Sequence, residues 1–282
     1  MYNLRYHVAS LVAVFLALTV GLLLGTVVAE RGVLDRQREA LVAGLQKDFA
    51  ALSEANSRLS QDNDAHAEFI DSALPTLVGG RLDGATVAIL IAEGQNEDAY
   101  SATVDAVLEA GGQPLRVAIS EPGFSLDETQ TLEAVATLFP PTTTDLRASV
   151  ITSLAAELST TGPRPVSDAL RELGVLGGEV LPDDVGVRGL AVMASWEDGP
   201  DALAVELGVQ LAARGVAVLG VEGTTARAGL VLAAVEGGLS AVDHVDTPQG
   251  AYSVVMVLAQ QAQGHFGLLD EADGRFPIVA TQ

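Results

Sequence analysis

Four side chains near the end of the chain hold most of its coordination chemistry. Asp243, His244 and Asp246 fall close together, and His265 follows about one helix later. Imidazole nitrogen and carboxylate oxygen suit Cu(II) or Zn(II). His244, Asp246 and His265 are therefore the candidate metal ligands. No two histidines have tight ligand spacing, so another reading stands beside the first. In it, His244 caps a strand end and His265 caps the last helix, where the helix dipole favours an imidazole. Cu(I) prefers sulfur. The chain has no Cys and only Met1, Met193 and Met256, so disulfides, thiolate sites and thiol nucleophiles are excluded.

Other chemistries find less support. Neither a P-loop nor a GxGxxG is present, and no GxSxG marks a nucleophile elbow. Glu222-Gly223-Thr224-Thr225 has a turn and hydroxyls but opens with a carboxylate, which repels phosphate. The four histidines include His7 beside an apolar segment. The chain is not expected to be an enzyme, because no nucleophile, base and orienter can be assembled from it. Nucleic acid is excluded as a partner by charge. The net charge is −22, and residues 76–282 alone set 28 Asp and Glu against 9 Arg.

The elements that position these residues begin with Val8–Ala29, which carries no charge. A helix of that length spans roughly 33 Å, enough for a bilayer core. Its length favours a retained membrane helix over a cleaved signal peptide. Every fourth residue is small: Ala9, Ala13, Ala17, Gly21, Gly25 and Ala29. Such a ridge lets two helices approach closely, so Ala13, Ala17, Gly21 and Gly25 are the expected dimer contact. Residues 1–7 form a short flank. No second apolar run is long enough to span. Basic residues flank both ends of the segment, and charge alone leaves topology open.

Residues 30–75 read as one polar helix that Pro75 ends. Leu34, Leu41, Leu45, Leu52, Ala55, Leu59 and Phe69 follow a heptad. Arg38, Asp48, Asp62 and His66 share that seam, so the choice lies between a weak parallel coiled coil and a solvated stalk.

From residue 76 to 267 the pattern is that of an α/β domain. Ala85–Ala92 is an apolar run of the kind buried on both faces of a parallel sheet. Strands are expected at Leu115–Ser120, Val187–Ala194, Val216–Val221 and Ala241–His244. Helices are expected at Asp98–Ala110, Asp201–Arg214, Ala226–Glu236 and Gly250–Ala262. Between the second and third strands, about residues 121–186, three helices (Asp127–Leu138, Thr144–Leu158, Val166–Leu173) form an insertion or lid. Residues 268–282 look irregular. The fold class is α/β: a transmembrane helix, a stalk helix and a Rossmann-like parallel-sheet domain with a helical insertion. Ligands in such sheets bind beyond the carboxyl ends of the strands.

Two stretches resemble a known family. Asn3-Leu4-Arg5-Tyr6-His7-Val8 and the residues through Leu18 form one. Val242-Asp243-His244-Val245-Asp246-Thr247-Pro248-Gln249-Gly250, with Gly264-His265-Phe266-Gly267, forms the other. Both are similar to the mycobacterial copper transport protein B family. The resemblance implies a single-pass actinobacterial envelope protein with a cytoplasmic N-terminus and its bulk outside the cytoplasm. It makes Arg5, Tyr6, His7, Asp246, Thr247, Pro248, Gly250, Gly264 and His265 motif positions. It also implies copper homeostasis or efflux, with copper as the one ion brought into view. A related branch implies an envelope scaffold for cell separation, with a second membrane or envelope protein as partner. No catalytic residues are implied.

Overall fold

The computed structural model describes residues 4–126, 128–138, 145–226 and 229–278, without the side chains of 27–36, 71, 136 and 138. Asp127 and Thr144, where two helices were expected to begin, lie outside it, as do residues 227–228 and 279–282. The side chains of Ala29 and Leu34 also lie outside the described residues. The chain divides into two units, residues 1–66 and 67–282.

The first unit consists of helix α1 (Leu4–Val78), which continues into the second. Leu4–Thr26 is long and apolar enough to cross a membrane, with mean hydropathy 2.5. The hydroxyls within it are satisfied internally: Thr19 donates to the Phe15 carbonyl and Thr26 to that of Leu23. Hydrocarbon demands such pairing. Pro75 does not end the helix as expected. It sits in the last turn, where burial of Leu74 and Val78 in the second unit's core offsets the one missing N–H. Gly79 N–H then bonds the Pro75 carbonyl, and Gly80 ends the helix at φ 75°.

The second unit is a mostly parallel sheet between helical layers. Its elements after α1 are β1 (Thr86–Ala92), α2 (Glu97–Glu109), β2 (Gln113–Ile119), a 3-10 turn (Pro122–Ser125), α3 (Thr129–Leu138), α4 (Leu146–Ser159), α5 (Pro165–Glu172) and β3 (Leu176–Gly178). Then follow β4 (Gly189–Val192), the pair β5 (Ser195–Trp196) and β6 (Gly199–Pro200), α6 (Ala202–Ala212), β7 (Ala217–Val221), α7 (Leu230–Glu236), β8 (Ser240–Val242), α8 (Pro248–Leu258) and β9 (His265–Phe266). The main sheet runs β3-β2-β1-β4-β7-β8-β9, parallel except for β3.

Every residue of β1 is buried, because it has a layer on each side. Ala88 and Leu90 face α3–α7; Val87 and Ile89 face α2, α8 and the end of α1. The helices expected as an insertion or lid fall after β2, and they complete the first of these layers. Ile151, Leu154, Leu170 and Leu207 share one core there. Each of these helices carries an apolar stripe that needs the sheet to cover it. Four strands were not foreseen, the short pair β5 and β6 and two edge strands of the main sheet. β3 is three residues long with two glycines, and β9 is two residues long, so neither shows an alternating pattern.

Candidate functional site

The strand order places a topological switch between β1 and β4, whose chains depart to opposite sides. Their carboxyl-end loops are stitched by Asn96. Its side-chain amide donates to the Met193 carbonyl (3.0 Å) and to Ser195 Oγ (2.8 Å). Asn96 holds φ 53°, a left-handed conformation Asn tolerates better than most residues, and so turns the chain into α2. Beside it lies a cleft of about 230 Å³ lined by Asn96, Glu97, Asp98, Gly223, Thr225 and Asp246. Among the described residues no basic side chain lines it. Glu97 and Asp98 occupy the first turn of α2, where the helix dipole favours them. Arg116 grips Glu97 with two nitrogens (2.6 and 3.0 Å) and stacks 4.5 Å from the Tyr100 ring centre. That bond, with the guanidinium's charge, outweighs slight burial and lowers the Glu97 carboxyl. The cleft therefore offers carboxylates and hydroxyls. Such a lining suits a polyol, an amine or a cation.

Asp246 is committed to this wall. Its Oδ1 accepts from both the N–H and the hydroxyl of Thr224, each at 2.8 Å. This clips the turn after β7 to the turn after β8.

Its neighbour Asp243 organises a second cluster. Asp243 is 2 % exposed, at the end of β8. His265 Nε2 bonds its Oδ2 at 2.8 Å, His244 Nδ1 bonds its Oδ1, and Leu268 N–H donates to Oδ1 at 2.6 Å. Burial pushes this carboxyl up, but the Leu268 N–H and the two imidazoles more than offset it, and the net shift is downward. An ionised carboxylate only accepts, so both ring nitrogens act as donors. Gly267 explains itself here. Its φ is 153°, and a Cβ would lie 2.1 Å from the Asp243 carboxyl.

The remaining motif residues of the second unit are structural parts of the same edge. Thr247 caps α8: its hydroxyl accepts from Gly250 N–H (3.2 Å) and donates to the His244 carbonyl (2.7 Å). Pro248 stands at the first helical position, where no N–H is missed. A Cβ on Gly250 would come within 2.2 Å of that carbonyl. Gly264, at φ 124°, leaves room for Asp273, which accepts from His265 N–H at 2.9 Å. Arg5, Tyr6 and His7 lie exposed in the first turns of α1.

Of the expected metal trio, His244 and His265 come together on Asp243, while Asp246 turns to Thr224. Among the described residues no three His, Asp or Glu side chains form a metal-holding group. Nor does His265 cap the last helix. α8 ends at Leu258, and His265 pairs in β9 with Ala241. Met193 and Met256 are fully buried, so they offer no sulfur at the surface. The donor set of the head therefore fits Cu(I) poorly. Sequence reasoning named Asp243 but left it out of the candidate ligands, and it gave Asn96 no role. Adjacency to His244 was the only signal for Asp243, and Asn96 carried none beyond its place after β1.

Residues 1–277 match the family model described as copper transport outer membrane protein, MctB. No curated protein matches. Among solved structures, an aspartate transcarbamoylase from Trypanosoma cruzi in complex with carbamoyl aspartate and phosphate is 14% identical, with a TM-score of 0.19 over 68% of this chain and 87% of that one. The same enzyme with carbamoyl phosphate and aspartate also gives 14% and 0.19, over 68% and 88%. Likeness at that level carries no argument about activity.

Proposed function

The chain belongs to the MctB family of copper transport outer membrane proteins, and from that membership we propose a membrane-anchored dimer that serves envelope copper homeostasis through contacts rather than catalysis. The N-terminus is cytoplasmic and the head extracytoplasmic in this reading.

The observation that carries it is the exposure of α1. Leu41, Leu45, Phe49, Leu52, Leu59 and Phe69 all stand in solvent, Phe49 at 74 %. An apolar row of that length on a soluble surface marks an interaction face. In the apolar segment, a Cβ on Gly21 or Gly25 would meet nothing within 4 Å of its own chain. Each glycine costs a helix about 1 kcal/mol relative to Ala. Their smallness serves no contact inside the chain, and close approach of a second helix gives it a use. A lone span cannot form a pore, so copper would be the cargo of an assembly in which this chain is one part.

A second reading is favoured by the same stalk: a scaffold for cell-wall remodelling and cell separation. A deletion strain separates the two. Copper accumulation with normal morphology supports the first. Chained cells with normal copper tolerance would replace it with the second. A reporter active only after export, fused after Gln282, is expected to be active; silence with the protein present would put the head in the cytoplasm.

A further inference from the structure

Of the four polar residues on the stalk seam, Arg38, Asp48, Asp62 and His66, the last two lie one helical turn apart. With Leu45, Leu52 and Leu59 at successive a positions, Asp62 falls at d and His66 at the next a. Both lie within the continuous α1 helix, and both are exposed. Residues spaced i and i+4 project from one face, about 5–6 Å apart at Cβ. Neither side chain makes a hydrogen bond or ion pair to another described residue, unlike Arg58, which binds Glu54 at 2.5 Å one turn earlier. A single chain thus presents one imidazole and one carboxylate, free, one turn apart on the seam.

We propose that two stalks bring these half-sites together to bind a borderline divalent ion such as Zn2+ or Cu2+, with His66 and Asp62 from each chain as ligands. The proposal rests on the dimer reading above. A shared membrane anchor fixes both helices parallel and at the same depth, so the seams meet in register. Layer a then faces His66 with His66 of the second copy, and layer d faces Asp62 with its own copy. Two imidazoles and two carboxylates are a donor set that Zn2+ takes tetrahedrally and Cu2+ tetragonally. Without an ion, the paired Asp62 carboxylates repel across the seam and weaken it. With one, the same charges become ligands. Within one chain there are too few ligands for a site, so the ion would report association and stabilise it.

The test uses the full chain in lipid nanodiscs or detergent. Zn2+ binding is titrated on the wild type, His66→Ala and Asp62→Asn, with Mg2+ as the hard-ion control. All positions tolerate these changes, because they are exposed in a helix. His66→Ala also separates the stalk from His244 and His265. Association is read independently by Leu59→Cys, whose disulfide is unambiguous in a chain without native Cys. We expect a Zn2+ ion shared by two chains, lost in His66→Ala, weakened in Asp62→Asn and not replaced by Mg2+. Zn2+ should also speed Leu59→Cys crosslinking. Crosslinking with no difference in Zn2+ uptake between wild type and His66→Ala would overturn the ion site and leave the dimer standing. No crosslink with or without Zn2+ would remove the dimer and the shared site together.

Discussion

At the scale of single residues, Asp243 binds the C-terminal edge together. It receives Leu268 N–H and both imidazoles while 2 % exposed. Truncating a buried acceptor of charge-assisted bonds costs about 1.5–3 kcal/mol. Asp243→Asn keeps the shape but loses the charge, and urea melts at neutral pH should show destabilisation of about 2 kcal/mol. The pH dependence has a definite sign. The folded carboxyl lies below its ordinary value of 3.8, so its contribution is complete above that value and is lost as pH falls through the folded one. The gap between wild type and Asp243→Asn should therefore narrow as the medium is acidified below about pH 4. A gap that stays constant on acidification would mean the charge is not what matters. Gly267→Ala tests the same carboxylate sterically. The added methyl meets Asp243 at 2.1 Å on a backbone of φ 153° and should destabilise by about 1–3 kcal/mol, measured by the same melts.

At the scale of elements, α1 makes the clearest wager. If its small ridge is the contact, Gly21→Leu with Gly25→Leu holds two backbones apart and should reduce crosslinking in membranes, although Leu is the better helix former. Unchanged crosslinking would move the contact to another face. The sequence made this helix legible because a long uncharged run has few other uses. β1 was legible for a similar reason: Thr86–Ala92 is apolar throughout, as burial on both faces requires. The edge strands were not. Leu176-Gly177-Gly178 owes its pairing to Val117–Ile119, far back in the chain, and His265-Phe266 to Ala241-Val242. Pairing of that kind is a tertiary fact that no local period encodes. The candidate site divides the same way. The loops that form the carboxyl edge could be named from strand ends, because topology dictates where they gather. Which carboxylate would serve which partner could not. Asp243 and Asp246 look equivalent in sequence, yet Asp243 directly follows β8 and reaches His265, while the chain turns at His244 (φ 54°) and carries Asp246 across to Thr224.

At the scale of the whole molecule, charge sets the terms of association. Residues 76–282 carry a net −19, and residues 30–75 a further −4. Two copies tethered in one membrane bring like charges together, so any pairing driven by the apolar span and seam works against that repulsion. The Debye length falls from about 30 Å at 0.01 M salt to about 8 Å at 0.15 M. Hydrocarbon-embedded helix contacts scarcely feel that change, whereas repulsion between solvated acidic surfaces does. Dimer affinity should therefore rise with ionic strength, the reverse of what an interface of complementary charges would show. Förster transfer between labelled full-length chains in neutral-lipid nanodiscs, measured across that salt range, reads the sign directly. A decline with salt would mean that opposite charges on the two copies make the contact, and would shift the interface from α1 to the few arginines of the head.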